Sequence, residues 1–225
     1  PVAGNMGVVA GTQAFMDSLR KMTLKHGSVL IFDEVITGFR IGIGGAAAYY
    51  NITPDLTCFG KIIGGGLPVG AYGGKKEIMS CVSPLGGVYQ AGTLSGNPLA
   101  LYMGYKIIKH LEQHPEIYTQ IENNAILLEN GLKEIVEKRS LPLSVVRVAG
   151  MVCLFFCEKV PTTYSEVALC DTMAYGAFFR EMLKRGVLLP PAQFEGLFLS
   201  AAHSELDVVK TLEAVDGSLE TIHIS

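Results

Sequence analysis

Lys61 stands where a lysine can do more than solvate a surface. It follows the short apolar run Leu56-Thr57-Cys58-Phe59 and the strand-breaking Gly60, and it opens the glycine-rich stretch Ile62-Ile63-Gly64-Gly65-Gly66-Leu67-Pro68. No acid lies within five residues on either side to neutralise it. A lysine at the end of a buried strand is costly to keep charged, and desolvation leaves an amine able to attack a carbonyl and form a Schiff base. The ordinary alternative is a side chain whose stem lies on apolar surface while its ammonium reaches water. Two further clusters bear on the choice. Ser28-Val29-Leu30-Ile31-Phe32 leads into the acids Asp33 and Glu34, and an acid emerging from so apolar a strand is a natural partner for a buried cation such as a protonated pyridine nitrogen. In Tyr89-Gln90-Ala91-Gly92-Thr93-Leu94-Ser95-Gly96-Asn97-Pro98, the Gly92 amide and the Thr93 hydroxyl could together take a phosphate oxygen. Taken alone, each has a plainer reading: a solvated strand-end acid, and a polar loop that caps a helix.

The elements that must position these groups follow from pattern. The unalternating Val29–Phe32 run predicts a parallel strand covered on both faces, with its acids at the carboxyl end where open α/β sheets bind ligands. Leu56–Phe59 is a second buried strand. Asn97 as N-cap and Pro98 at the first helical position predict a helix to about Leu111. Upstream, Pro1–Gly7 is a glycine-punctuated loop carrying Asn5, and Gly11–His26 holds a short amphipathic helix closed by Gly27. Gly42–Ala48 reads as tight packing near a cleft, since it fits neither a dinucleotide fingerprint nor a phosphate loop of the Gly-Lys-Ser/Thr kind.

Beyond Pro115 the pattern changes to a long amphipathic helix, apolar strands at Leu143–Val148 and Met151–Cys157, and a helix over Asp171–Arg185. A strand-like Val187–Leu189, the loop Pro190–Gly196, a strand Leu197–Ala201 and a helix capped by Ser204 complete the chain. This places a boundary near His114, with residues 1–114 and 115–225 as two regions of an α/β protein. His203-Ser204 lacks any Gly-x-Ser-x-Gly elbow and does not read as a hydrolase site.

Composition narrows the class. The chain has 225 residues, 49% of them hydrophobic and 17% charged, with a net charge of −3. Mild acidity gives no electrostatic footprint for nucleic acid or an anionic membrane, and no apolar run approaches a membrane span. The five cysteines lie in apolar surroundings without Cys-x-x-Cys spacing, which points to reduced core thiols, a cytoplasmic setting and no metal framework. The chain opens at Pro1, already inside a turn, and reads as a fragment.

An acid at one strand end, a lysine at the next and a Gly-Thr site further on are what a pyridoxal-phosphate enzyme needs. Asp-Glu-Val-x-Thr-Gly-Phe-Arg, Pro-Asp-Leu-x3-Gly-Lys-x2-Gly-Gly-Gly-x-Pro-Val-Gly-Ala and Gly-Thr-x-Ser-Gly-Asn-Pro, in that order, resemble the class-III aminotransferases of fold-type I. The resemblance covers essentially the whole chain and matches the later half of such a protein. It is nearest to the aminomutase branch, whose members move an amino group between neighbouring carbons of one molecule on the way to tetrapyrroles.

The resemblance implies that residues 1–114 form part of the large mixed-sheet cofactor domain and residues 115–225 a smaller α/β domain. It implies pyridoxal 5'-phosphate or pyridoxamine 5'-phosphate as cofactor, carried by Lys61 as a Schiff base. Asp33 would meet the pyridine nitrogen, Val35 the ring face, and Asn5 the ring hydroxyl with Tyr89 close by. Gly92 and Thr93 would reach the phosphate of a neighbouring subunit in a homodimer, and Glu195 would lie near the small-molecule substrate. In that family most of the phosphate loop, the stacking aromatic and the gate lie upstream of Pro1. The isolated chain is therefore expected to hold cofactor poorly and to be inactive alone. Two rivals share the same residues: an ω-amino-acid aminotransferase, and a non-catalytic protein that keeps the fold.

Overall fold

The computed structural model describes residues 1–224. The chain opens with a hairpin, β1 (Val2–Ala3) paired antiparallel with β2 (Val9–Ala10). Next come α1 (Gln13–His26), β3 (Ile31–Glu34), the short helix α2 (Gly45–Tyr49) and β4 (Leu56–Phe59). A 3-10 turn at Lys61–Gly64, β5 (Ala71–Gly74), α3 (Lys76–Met79) and α4 (Pro98–Gln113) follow. The remainder is α5 (Glu116–Lys138), β6 (Ser144–Val148), β7 (Met151–Phe155), α6 (Tyr164–Val167), α7 (Thr172–Lys184), β8 (Leu197–Phe198) and α8 (Glu205–Thr221). None of the helices is long and apolar enough to cross a membrane among the described residues.

These elements form two compact units, Pro1 with Gly11–Pro115, and Val2–Ala10 with Glu116–Ser225. The N-terminal hairpin, which the sequence pattern places with the first region, thus packs with the second. Gly7 shows why: its N–H donates to the Phe194 carbonyl at 2.8 Å, and a Cβ there would lie 2.5 Å from the Phe155 ring.

In the first unit β3 and β4 run parallel, with Asp33 opposite Cys58 and Glu34 opposite Phe59, and β5 adds antiparallel to β4. β3 alternates between exposed and buried positions: Phe32 and Glu34 are buried, while Ile31 is 54% exposed and Asp33 lies open beside it. This corrects the expectation of a strand covered on both faces, because this chain covers one face only. Asp55, just before β4, ties the base of the unit together. It is 3% exposed, pairs with Arg20 of α1 at 2.8 Å and Lys75 at 2.6 Å, and accepts the Leu30 N–H at 2.8 Å. Those cations and that amide hold its carboxyl well below the usual carboxylate range. In α1, Met16 is buried but Phe15, Met22 and Leu24 are exposed, so its apolar side is only partly used.

In the second unit α5, α7 and α8 pack on the antiparallel sheet β6-β7-β8. Phe156, Tyr175 and Phe178 form an aromatic cluster with ring centroids 5.5–6.4 Å apart at its centre. Ser204 caps α8 through a reciprocal box with Asp207, as its sequence position predicts. Two expectations need correction. Val187–Leu189 pairs with no strand, and the last strand is confined to Leu197–Phe198, since the next N–H, of Leu199, reaches the Gly150 carbonyl at 3.0 Å in the turn ahead of β7. The cysteines are not uniformly core residues either: Cys81 is exposed, and Cys58 and Cys157 are half-buried.

Candidate functional site

The parallel register of β3 and β4 brings the carboxyl ends of both strands to one edge of the first unit, so Asp33 and Lys61 emerge there although 28 positions separate them in sequence. Asp33 is exposed, and one of its oxygens accepts the Val35 N–H at 3.0 Å, which folds the chain back over the strand end. Lys61 follows Gly60 with φ near 52°, a left-handed conformation uncommon for a side-chain-bearing residue. Its amine is exposed and makes no ion pair among the described residues. The expectation of a buried lysine is therefore corrected: Lys61, like Asp33, is exposed here. A strand-end pattern sets which positions can be buried, but another layer must supply the cover.

Close approaches on two sides fix where Lys61 sits. Gly60 abuts Val35, whose Cγ1 would be 3.3 Å from a Cβ at Gly60. Gly104, in the middle of α4, would put a Cβ 2.1 Å from the Ile63 carbonyl oxygen, and a Cβ at Gly65 would stand 2.9 Å from the Met103 carbonyl oxygen. Only glycine lets helix and lysine turn meet backbone to backbone. The Lys61–Gly64 turn is thus held between Val35 on one side and α4 on the other. Neither Gly65 nor Gly104 stands out in the sequence as a positioning residue; the signal available was a glycine interrupting an otherwise regular helix.

Glu34 is the other residue the sequence underweights. It is 1% exposed and accepts hydrogen bonds from the Thr37 hydroxyl at 2.5 Å and from the Ala46 and Ala47 N–H groups at 2.8 Å each. Those amides are unpaired donors of the first turn of α2, so the carboxylate caps that helix from a distance. The Gly42–Ala48 run is thereby explained: Gly45 has φ near 57°, and a Cβ there would fall 2.5 Å from a Glu34 oxygen. The carboxylate clamps the turn Val35–Gly38, and with it Val35 and the backbone of Asp33.

The Gly92–Asn97 loop is compact but exposed. Ser95 N–H donates to the Gly92 carbonyl at 2.9 Å, Asn97 N–H to the Leu94 carbonyl at 3.1 Å, and the Asn97 side chain accepts the Ala100 N–H at 3.1 Å to cap α4. Gly92 lines a shallow cleft of about 230 Å³ with Pro68, Val69 and Ser95. Thr93 is exposed beside it, and Tyr89 is 83% exposed.

Asn5 and Glu195 belong to the second unit. Asn5 is exposed in the turn between β1 and β2, and the Gly7–Phe194 hydrogen bond sets that turn alongside the loop that carries the exposed Glu195. Tyr175 steadies that loop through its hydroxyl, which donates to the Pro190 carbonyl at 2.7 Å, and burial pushes its phenol up. Structure thus joins Asp33, Val35 and Lys61 in one unit, with the Gly92-Thr93 loop in the same unit, and Asn5 with the Glu195 loop in the other.

At these strand ends the chain offers one exposed carboxylate, Asp33, one exposed lysine without an ion pair among the described residues, Lys61, and the apolar side chain of Val35 packed against Gly60, groups that fit a flat aromatic cation bearing a carbonyl. Among the described residues, no group of three or more His, Cys, Asp or Glu side chains could hold a metal ion.

Comparison with known proteins bears on which reaction such a face serves. The family model for class-III aminotransferases matches residues 1–205. The chain is 57% identical over 214 residues to glutamate-1-semialdehyde 2,1-aminomutase of Clostridium novyi, covering 95% of this chain and 49% of that protein. It is 51% identical over 222 residues to the aminomutase of Alkaliphilus metalliredigens, covering 99% of this chain and 50% of that protein. Among solved structures, an omega-transaminase from Sphaerobacter thermophilus superposes with a TM-score of 0.88 at 30% identity, over 97% of this chain and 50% of that one. A glutamate-1-semialdehyde aminomutase variant from Pseudomonas aeruginosa in complex with PMP superposes with a TM-score of 0.87 at 27% identity, over 98% of this chain and 50% of that one. The chain spans about half the length of the relatives it matches.

Proposed function

We propose, for a chain that belongs to the class-III aminotransferase family, that it is the later half of an aminomutase converting glutamate-1-semialdehyde into 5-aminolevulinate. The observation that carries this reading is the presence of Asp33 and Lys61 at the carboxyl ends of adjacent parallel strands in a chain 57% identical to such an enzyme. In the family's architecture, residues 11–114 would be part of the large mixed-sheet domain and the second unit the smaller α/β domain, with the N-terminal hairpin going to the latter. The open Ile31–Asp33 face would be covered by the other half of the protein.

Pyridoxal phosphate, or its amine form, would supply an electron sink for a carbanion next to the migrating nitrogen. This chain's residues would do the rest. Asp33 would keep a proton on the ring nitrogen by placing its carboxylate against it. Val35 would pack on the ring face, and Asn5 would hydrogen-bond the ring hydroxyl. Lys61 would hold the cofactor at rest and, once displaced, carry a proton at its Nζ between neighbouring carbons as general base and then acid. Its unpaired amine and its fixed turn suit that shuttle. The Gly92 N–H and Thr93 hydroxyl would bind a phosphate oxygen of a second copy's cofactor. The exposed apolar side chains Leu99, Leu101, Tyr102 and Tyr105 of α4, next to that loop, support a homodimer in which a second copy covers them. Glu195 would face the substrate.

An ω-amino-acid aminotransferase would use the same residues, and the superposition on an omega-transaminase keeps that reading in view. One experiment separates them. The complete protein is given glutamate-1-semialdehyde with no added amino donor or keto-acid acceptor, and 5-aminolevulinate is measured. Product in that mixture supports the aminomutase. Product only after a donor and acceptor are added moves the protein to the aminotransferases, and none under either condition indicates a non-catalytic relative.

A further inference from the structure

Two cysteines of the second unit meet through the way the chain turns back before α7. Cys157 lies just past β7, and Cys170 immediately precedes Asp171, the N-cap of α7. Asp171 N–H donates to the Phe156 carbonyl at 3.0 Å, tying the residue before one cysteine to the residue after the other. Their sulfurs stand 3.0 Å apart, the Cys170 thiol donating to Cys157. That separation exceeds a disulfide bond by about 1 Å, a distance that side-chain rotation can close. The segment between them already folds back on its own bonds: Thr163 and Glu166 form a reciprocal capping box on α6, and the Glu166 carboxylate also takes the Thr162 hydroxyl.

The two thiols differ in access. Cys157 is half-buried and points its thiol at the Lys159 carbonyl at 3.2 Å. Cys170 is 5% exposed, and burial, reinforced by the neighbouring sulfur, pushes its thiol up to about 12. Cys153 is 3% exposed and is pushed up to about 12 by burial, while the Val8 N–H bonds to its sulfur. The accessible partner is therefore Cys157, and the adjacent one is Cys170.

We propose that Cys157 and Cys170 are a modification site, closing an intramolecular disulfide when the protein meets a peroxide. With hydrogen peroxide, Cys157 sulfur attacks one oxygen, the O–O bond breaks, the Cys157 proton leaves with the departing hydroxide as water, and Cys157 is left as a sulfenic acid. Cys170 sulfur then attacks Cys157 sulfur; the S–S bond forms, the S–OH bond breaks, and the Cys170 proton departs with that hydroxyl as a second water. Two thiols are oxidised and one peroxide is reduced, and a reducing thiol reverses the bond. The closed segment supports the Pro190–Gly196 loop: the Val167 carbonyl accepts from the Gln193 amide at 3.4 Å, and Tyr164 stacks on Phe194 with ring centroids 6.4 Å apart. Oxidation thus fastens the support of the loop that carries Glu195. None of this depends on which reaction the protein catalyses.

The test is peptide mapping. Reduced protein is exposed to hydrogen peroxide, its free thiols are alkylated, and it is digested with trypsin without reductant. Cleavage after Arg147, Lys159 and Arg180 places Cys153 and Cys157 in fragment 148–159 and Cys170 in fragment 160–180. The expected result is those two fragments linked, lighter than their sum by two hydrogens, and released by a reducing thiol. The link is lost in Cys157→Ser and in Cys170→Ser, and kept in Cys153→Ser and Cys81→Ser. Amide exchange across 158–169 slows in the oxidised wild-type protein. The proposal is overturned if Cys157 passes to sulfinic acid without a link, if the link survives Cys157→Ser, or if the only cross-links join separate chains. A link that leaves exchange across 158–169 unchanged overturns the fastening of the loop.

Discussion

Replacing Glu34 by Gln removes one charge and almost no volume, so its effect isolates the clamp at the end of β3. In the wild-type chain one carboxylate oxygen accepts from the Thr37 hydroxyl and the Ala46 N–H, and the other accepts from the Ala47 N–H. An amide has one acceptor oxygen. With that oxygen facing Thr37 and Ala46, its NH2 must face the Ala47 N–H, donor against donor. Leaving one buried donor unsatisfied costs about 1–3 kcal/mol, and reducing two hydrogen bonds from charged to neutral strength removes about 0.5–1.5 kcal/mol each. The site cannot relax by swinging the side chain away, because Gly45 is packed directly on it. The expected destabilisation is about 3 kcal/mol. Hydrogen exchange with mass spectrometry reads it locally: the Ala46 and Ala47 amides should lose about 100-fold of protection. A urea titration followed by circular dichroism should show the first unit unfolding earlier. Asp33→Asn is the control, since that carboxylate is exposed, one residue away, and an amide can still accept the Val35 N–H; its effect should stay within about 0.5 kcal/mol. Unchanged exchange at Ala46 and Ala47 in Glu34→Gln, or an equal loss in Asp33→Asn, would refute the clamp.

Lys61→Ala should leave the unfolding free energy of the chain within about 0.5 kcal/mol of wild type, because the residue is exposed and makes no ion pair among the described residues, and on the proposed function it should abolish 5-aminolevulinate formation in the complete protein. Gly104→Ala should destabilise by about 1–3 kcal/mol despite the helix-propensity gain of about 1 kcal/mol, because its Cβ collides with the Ile63 carbonyl. Gly176→Ala in α7, where the nearest atom is the end of the Arg180 side chain at 3.6 Å, should stabilise instead, and urea midpoints of the two variants will show opposite signs. Asp55 has a folded-state acidity stronger than that of its unfolded form, so its contribution is complete above about pH 4 and is lost as the pH falls. Urea titrations from neutral to acid pH should show that decline in the wild type and a flatter profile in Asp55→Asn.

Much of the architecture was legible without coordinates because local chemistry determines it. Asn97 and Ser204 start helices by accepting their own first-turn amides, and Gly27 ends one through its left-handed backbone. The hydrophobic runs before Asp33 and before Gly60 read as strands and are strands, although the first begins at Ile31, two residues later than its run, and includes both acids. β5 was not readable, because Ala71-Tyr72-Gly73-Gly74 carries no apolar face and owes its ladder to β4. Nor was the N-terminal hairpin, two residues per strand, whose position rests on its contacts with Phe155 and Phe194.

The sequence by itself thus determined the types of the reactive residues, their order and the elements that end on them, since capping, strand run and turn chemistry act over a few neighbours. Tertiary structure alone decided the parallel register that sets Asp33 beside the Lys61 strand, the approach of Gly104 to Ile63, the buried grip of Glu34 on α2 and the meeting of Cys157 with Cys170. Each of these depends on atoms distant in sequence competing for the same few ångströms, which no local preference can specify. Tertiary structure also showed that Asp33 and Lys61 are both exposed, because burial is a property of the layers that surround a strand and not of the strand's own residues.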